Sequence, residues 1–265
     1  MIKIVSKYNI DAVKDGKKLL VGYLLAGYPQ KSQFLEVAAE CEAAGVDIFE
    51  VGFPSTDPQN DGEVIQKAHQ RIDASVSSDM EYWQEIRRTI SKPIWVMGYK
   101  CDLIDTGIYG ILAQKKLIDA LVIPDISFQE RQKLSEELSG YSVDIVGFVN
   151  PDMNEAELKE CFSNTALVYQ QLYTGPTGMP VVSDDYVEIL NKAREYKHVK
   201  VFAGFGITTP QRVNQLLTSG FDGVIIGTAM IKKLNESERE LTAFIKELNS
   251  SKKRVGEGDA VYCNL

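Results

Sequence analysis

Leu217-Thr218-Ser219-Gly220-Phe221-Asp222-Gly223-Val224-Ile225-Ile226-Gly227 holds the pattern that decides the fold. A helical stretch ends, a glycine or aspartate turns the chain, and a short apolar run follows. The same succession occurs twice upstream. Cys41-Glu42-Ala43-Ala44-Gly45-Val46-Asp47 leads into Ile48-Phe49-Glu50-Val51-Gly52, and Lys116-Leu117-Ile118-Asp119 leads into Ala120-Leu121-Val122-Ile123-Pro124-Asp125. Runs that are apolar throughout, rather than alternating, belong to a parallel sheet covered by helices.

Working outward from these units gives eight predicted strands, at 19–25, 48–51, 94–97, 121–123, 144–149, 166–169, 199–203 and 223–226. Stretches with apolar residues at helical spacing lie between them, at 34–44, 129–138, 155–161, 186–196 and 210–219. Pro210 suits the first turn of the last of these, with Thr208 or Thr209 as its cap. Eight βα units fit an α/β fold closed as a single (β/α)8 TIM barrel, spanning 1–265 as one domain; an open doubly wound sheet is the alternative. The stretches 54–62 and 174–185 read as loops. The polar, glycine-containing stretch 250–265 reads as a flexible tail.

With 44% hydrophobic and 25% charged residues the chain can bury a large core. A net charge of −8 argues against a general nucleic-acid or anionic-membrane surface, but not against a local phosphate site built from backbone N–H groups. Cys41, Cys101, Cys161 and Cys263 are scattered, and His69 and His198 are the only imidazoles, so no metal site is expected. No leader or membrane-length apolar run is seen, and a reduced, cytoplasmic protein is expected.

In such barrels the working residues sit at the C-terminal ends of strands and in the loops beyond. Glu50 lies near the end of an otherwise apolar strand, where burial would raise its pKa and fit it for proton transfer. Asp61 ends the loop Pro54-Ser55-Thr56-Asp57-Pro58-Gln59-Asn60-Asp61-Gly62 and is either its chemical partner or a turn and helix-cap residue. Tyr23, Tyr99 and Tyr169 are core residues or walls for an aromatic ligand. Asp125 either reaches the barrel mouth or caps a helix with Ser127, and Asp57 reads as a turn residue or a contact on the outer rim. Three glycine clusters follow the last three strands: Gly175-Pro176-Thr177-Gly178, Gly204-Phe205-Gly206-Ile207-Thr208 and Gly227-Thr228-Ala229. Glycines admit close approach of an anion, and a helix N-terminus supplies donors and a favourable dipole.

Together these residues resemble the tryptophan synthase alpha chain family. The stretch from Ile48 to Gly62 is similar to the family's E-L-G-x-P-x-S-D-P-x-A-D-G signature. Leu25-Ala26-Gly27-Tyr28-Pro29 is similar to its T-A-G-x-P segment, and the last two glycine clusters to its G-F-G-I-S and G-S-A-I-V-K segments. The resemblance implies a lyase that splits indole-3-glycerol phosphate into indole and glyceraldehyde 3-phosphate, with no cofactor of its own. It implies that Glu50 protonates the indole ring, that Asp61 holds the indole N–H, and that Tyr169 stands beside the reacting side chain. Tyr23 and Tyr99 would line the indole pocket. Thr177, Gly178, Phe205, Gly206, Gly227 and Thr228 would bind the phosphate end, with Thr228 in place of the usual serine.

The sequence departs from the family at Tyr28, Thr56, Asn60 and Cys101, at Leu172-Tyr173-Thr174, and at Pro176 in place of valine. These positions lie in loops where the family closes over substrate and meets its pyridoxal-phosphate-dependent beta chain. At this level a beta-chain partnership and a free-standing role both stand open, as do an isomerase of another sugar phosphate and a non-catalytic modulator.

Overall fold

A computed structural model describes residues 2–58, 61–178 and 186–258. Its strands are β1 (Leu19–Leu25), β2 (Ile48–Gly52), β3 (Ile94–Met97), β4 (Ala120–Val122), β5 (Asp144–Ile145), β6 (Gly147–Val149), β7 (Leu167–Gln171), β8 (Lys200–Gly204) and β9 (Gly223–Ile226). They form one sheet in the order β5-β4-β3-β2-β1-β9-β8-β7-β6, with parallel neighbours throughout. The first strand pairs with the last, from Leu19 opposite Gly223 to Gly22 opposite Ile226. That pairing excludes the open doubly wound alternative, whose first strand lies inside a sheet with two free edges.

The predicted fifth strand is broken at Val146 into β5 and β6. β5 pairs with β4, and β6 pairs with β7, so one segment joins both ends of the sheet order and closes the barrel. The strands at 19–25, 94–97 and 223–226 fall where expected, and other boundaries move by at most three residues, as happens where the last ladder bond rather than composition ends an element.

Alternation along the strands splits the core in two. Leu19, Val21, Ile48, Trp95, Val122 and Phe202 point into the barrel. The intervening residues, among them Leu20, Phe49, Val96 and Leu121, pack against the surrounding helices. Local chemistry starts those helices where the sequence indicates. Thr209 caps Pro210–Thr218 by accepting from Arg212 N, and Ser127 forms a capping box with Glu130 on Phe128–Ser139. The last helix, Glu238–Gly258, runs on through Ser250, where a loose tail was expected to begin. Residues 259–265 of that expected tail lie outside the described residues.

The N-terminal helix Lys7–Val13 closes the lower end of the barrel. Asn9 Nδ2 donates to Asp144 Oδ2 at 2.8 Å and to the Asp119 carbonyl at 3.1 Å, and Asn9 Oδ1 accepts from Trp95 Nε1 at 2.8 Å. Arg87 Nη1 reaches Asp119 at 2.8 Å. Polar groups buried at this end therefore have partners, which leaves the upper end free to carry chemistry.

Candidate active site

Strand alternation selects the side chains at the barrel mouth. Ile48 points inward on β2, so Glu50, two residues on, does too, flanked in register by Tyr23 on β1 and Trp95 on β3. Glu50 is 4% exposed. Burial, reinforced by repulsion from Asp61, pushes its pKa up to about 8.

Asp61 is brought to the same pocket by the loop after β2. Burial raises its pKa to about 6, while the Tyr99 hydroxyl, donating to Oδ2 at 2.9 Å, holds it down. At neutral pH the pair is therefore split: Glu50 holds a proton and Asp61 is ionised. Tyr99 reaches the site through Asp61, while Tyr23 lines the pocket with the two carboxylates.

His69, which the sequence suggested only as a lone imidazole, stands behind Asp61. Its Nδ1 accepts from Ser55 N at 3.0 Å, which places the proton on Nε2, 3.9 Å from Asp61 Oδ2. Burial lowers its pKa to about 4, so the ring is neutral at pH 7 and the contact is no ion pair. The signal for it was helical: Ile65, Ala68 and His69 share the buried face of Glu63–His69.

Tyr169, inward-facing on β7, stacks on Phe148 with ring centroids 4.5 Å apart and meets Phe205 edge-on at 5.9 Å. Its place depends on Gly204, where an added Cβ would lie 2.2 Å from the Tyr169 ring. Gly52 serves Tyr23 in the same way: a Cβ there would meet the Tyr23 hydroxyl at 2.3 Å. Ile65, Met97 and Pro124 supply apolar walls.

The glycine clusters meet beside this pocket, where Thr177, Gly178, Gly206, Gly227 and Thr228 line an adjoining cavity. Phe205 adopts φ +76°, a left-handed conformation uncommon for a residue with a side chain. Thr228 opens the helix Thr228–Glu236. Its Oγ1 is buried without a partner, as is the Tyr23 hydroxyl, so two unspent polar groups face the site from opposite ends. Such a helix start, with glycines before it, suits a phosphate.

The loops after β2 and β7 touch. Gly62 N donates to Thr177 Oγ1 at 2.8 Å, and a Cβ on Gly62 would lie 2.0 Å from the Thr177 carbonyl oxygen. Beneath them the carboxylate pocket is only about 40 Å³, far below the ~300–1,000 Å³ usual for small-molecule sites. Asp57 turns its own loop through Ser55, and Asp125 accepts from Lys100 N, leaving Ser127 as the cap. The departures at Tyr28 and Cys101 lie outside the pocket: the Tyr28 hydroxyl bonds Asn235 and Arg71, and Cys101 is exposed. Of the expected loops, Gln59, Asn60 and 179–185 lie outside the described residues. Among the described residues no cluster has the makings of a metal site, and no helix is long and apolar enough to cross a membrane.

The family model for "Tryptophan synthase alpha chain" matches residues 10–258. The chain belongs to this family. Tryptophan synthase alpha chains of two Prochlorococcus marinus strains are 30% and 31% identical to it, over 90% and 84% of this chain and 90% and 86% of theirs. A tryptophan synthase complex from Pyrococcus furiosus contains a chain with a TM-score of 0.76 and 26% identity, covering 88% of this chain and 98% of that one. The Mycobacterium tuberculosis tryptophan synthase gives a TM-score of 0.81 over 95% of this chain and 98% of that one; at 21% identity it bears on the fold alone. Membership in the tryptophan synthase alpha chain family assigns the chain to the lyases of tryptophan synthesis.

Proposed function

We propose that this chain cleaves indole-3-glycerol phosphate to indole and glyceraldehyde 3-phosphate. The observation that carries the reading is the pair of buried carboxylates, Glu50 and Asp61, in one pocket next to a glycine-rich cradle at a helix N-terminus; burial raises both pKa values, Glu50 the more, so the proton resides on Glu50. The phosphate is held at Gly178, Gly206, Gly227 and Thr228, with Thr177 and Phe205 shaping that end. The indole ring then extends toward Glu50 and Asp61, with Tyr23 along its side.

The proton inventory closes on one residue. Glu50 donates its proton to the ring carbon that carries the glycerol chain, and positive charge develops at the ring nitrogen. Asp61, already ionised and held by Tyr99, accepts the ring N–H and stabilises that charge. The Glu50 carboxylate then takes the proton of the adjacent hydroxyl. The O–H electron pair becomes the aldehyde C=O, the C–C bond breaks, and its pair returns to the ring, restoring indole. Tyr169 packs beside the bond that breaks. No cofactor is required.

Assembly with a pyridoxal-phosphate-dependent beta chain belongs to the same proposal, supported by family membership and by the Pyrococcus furiosus relative being a tryptophan synthase complex. The test is indole release from substrate by the purified chain, with and without a beta chain. Wild type should release indole and Glu50→Gln should not. Absence of indole in both arms defeats the proposal.

A further inference from the structure

A second cavity lies beside the candidate active site, at the C-terminal ends of β4, β6 and β7. Its volume is about 710 Å³, within the range of small-molecule sites. Pro124, Phe148 and Gln171 border both cavities. One wall is the helix Phe128–Ser139, which carries Arg131. The opposite wall is the helix Glu155–Asn164, which carries Glu157 and Glu160.

Arg131 has no structural explanation in the fold. It is 7% exposed, its Nε is buried without a hydrogen-bond partner, and among the described residues no carboxylate lies within ion-pair distance. Burial pulls its pKa below the ordinary arginine value, yet a guanidinium stays charged in a protein. The other charged groups buried at the lower end have partners: Asp119 has Arg87, and Asp144 has Asn9 and two backbone amides. A buried, unpaired cation on a cavity wall is costly unless something outside the chain pairs with it. The reaction proposed above makes no use of it.

We propose that this cavity binds a small organic monocarboxylate. The carboxylate pairs with the planar fork of Arg131, for which a two-oxygen anion is the matching acceptor. Its apolar body lies against Phe128, Phe148 and Met153. The exposed carboxylates of Glu157 and Glu160 border the cavity and repel dianions, which disfavours phosphate esters and keeps the site distinct from the glycine cradle. This holds whether or not the chain cleaves indole-3-glycerol phosphate.

The test is calorimetric titration of the whole chain with three probes: phenylacetate, phenethylamine and inorganic phosphate. Phenylacetate should saturate wild type and bind at least about tenfold more weakly to Arg131→Met, the loss expected for one charge-assisted pair. Thr228→Val should bind phenylacetate as wild type does, which assigns the site to this cavity. Phenethylamine should not saturate, nor should phosphate bind in an Arg131-dependent way. Because the substitution removes an unpaired buried charge, Arg131→Met should melt at or above the wild-type temperature. Four results each overturn the proposal: no saturable phenylacetate binding, equal affinity in Arg131→Met, loss in Thr228→Val instead, or a large fall in melting temperature on Arg131→Met.

Discussion

Glu50 should make the protein less stable as pH rises, and Glu50→Gln should remove that dependence. In the folded chain burial and Asp61 hold the Glu50 pKa at about 8, against an ordinary value of 4.5. Below 4.5 both folded and unfolded chains keep the proton, and the group costs nothing. Between 4.5 and about 8 the unfolded chain releases its proton while the folded chain keeps it. Each pH unit in that window therefore removes about 1.4 kcal/mol of stability. Above about 8 both states are ionised and the loss levels off, at up to roughly 5 kcal/mol. Glutamine keeps the shape of the protonated acid but cannot ionise. The Glu50→Gln variant should thus exceed wild type by little at pH 5 and by about 4 kcal/mol at pH 8. For a chain of this length that is a difference in melting temperature of about 8 °C. The assay is thermal or urea unfolding of both proteins from pH 5 to pH 8. Any fixed cost of burying the amide shifts the whole curve and leaves its slope alone. A stability difference that stays flat across the window would refute the reasoning.

Three further outcomes follow from the geometry. Tyr99→Phe removes the donor that holds Asp61 down, so the acid limb of the kcat/KM profile should move up by about one pH unit; an unmoved limb in the pH–rate profile would separate Asp61 from catalysis. Thr228→Val removes a buried hydroxyl at the cradle and should raise KM about tenfold with kcat retained, as read in steady-state assays of indole release. Asn9→Ala leaves the Trp95 N–H without its acceptor and Asp144 without one of its donors, and should cost about 2–4 kcal/mol in urea unfolding while the low-temperature activity stays near wild type.

The site was legible where one element carries the signal by itself. Two-residue alternation from Ile48 to Glu50 places a carboxylate inside the barrel, and glycines after three successive late strands meet at one cavity. What stayed hidden depends on partners remote in the chain. Nothing near Asp61 announces Tyr99, 38 residues on, as its donor, or Thr177, 115 residues beyond Gly62, as the latch on its loop. His69 was hidden differently: an imidazole on the buried face of a short helix looks the same in sequence whether it faces solvent, core or carboxylate. The break at Val146 also has no local cause, because it marks where one strand exchanges its neighbour β4 for β7. Ser250 read as a tail because its composition is polar, although the helix simply continues through it.

The bond between Gly62 and Thr177 joins the two ends of the reaction mechanically. One loop carries Asp61, at the proposed indole end; the other carries Gly178, at the proposed phosphate end. With the loops tied, a displacement of one pulls on the other. On the proposed function, this tether couples the release of the two products.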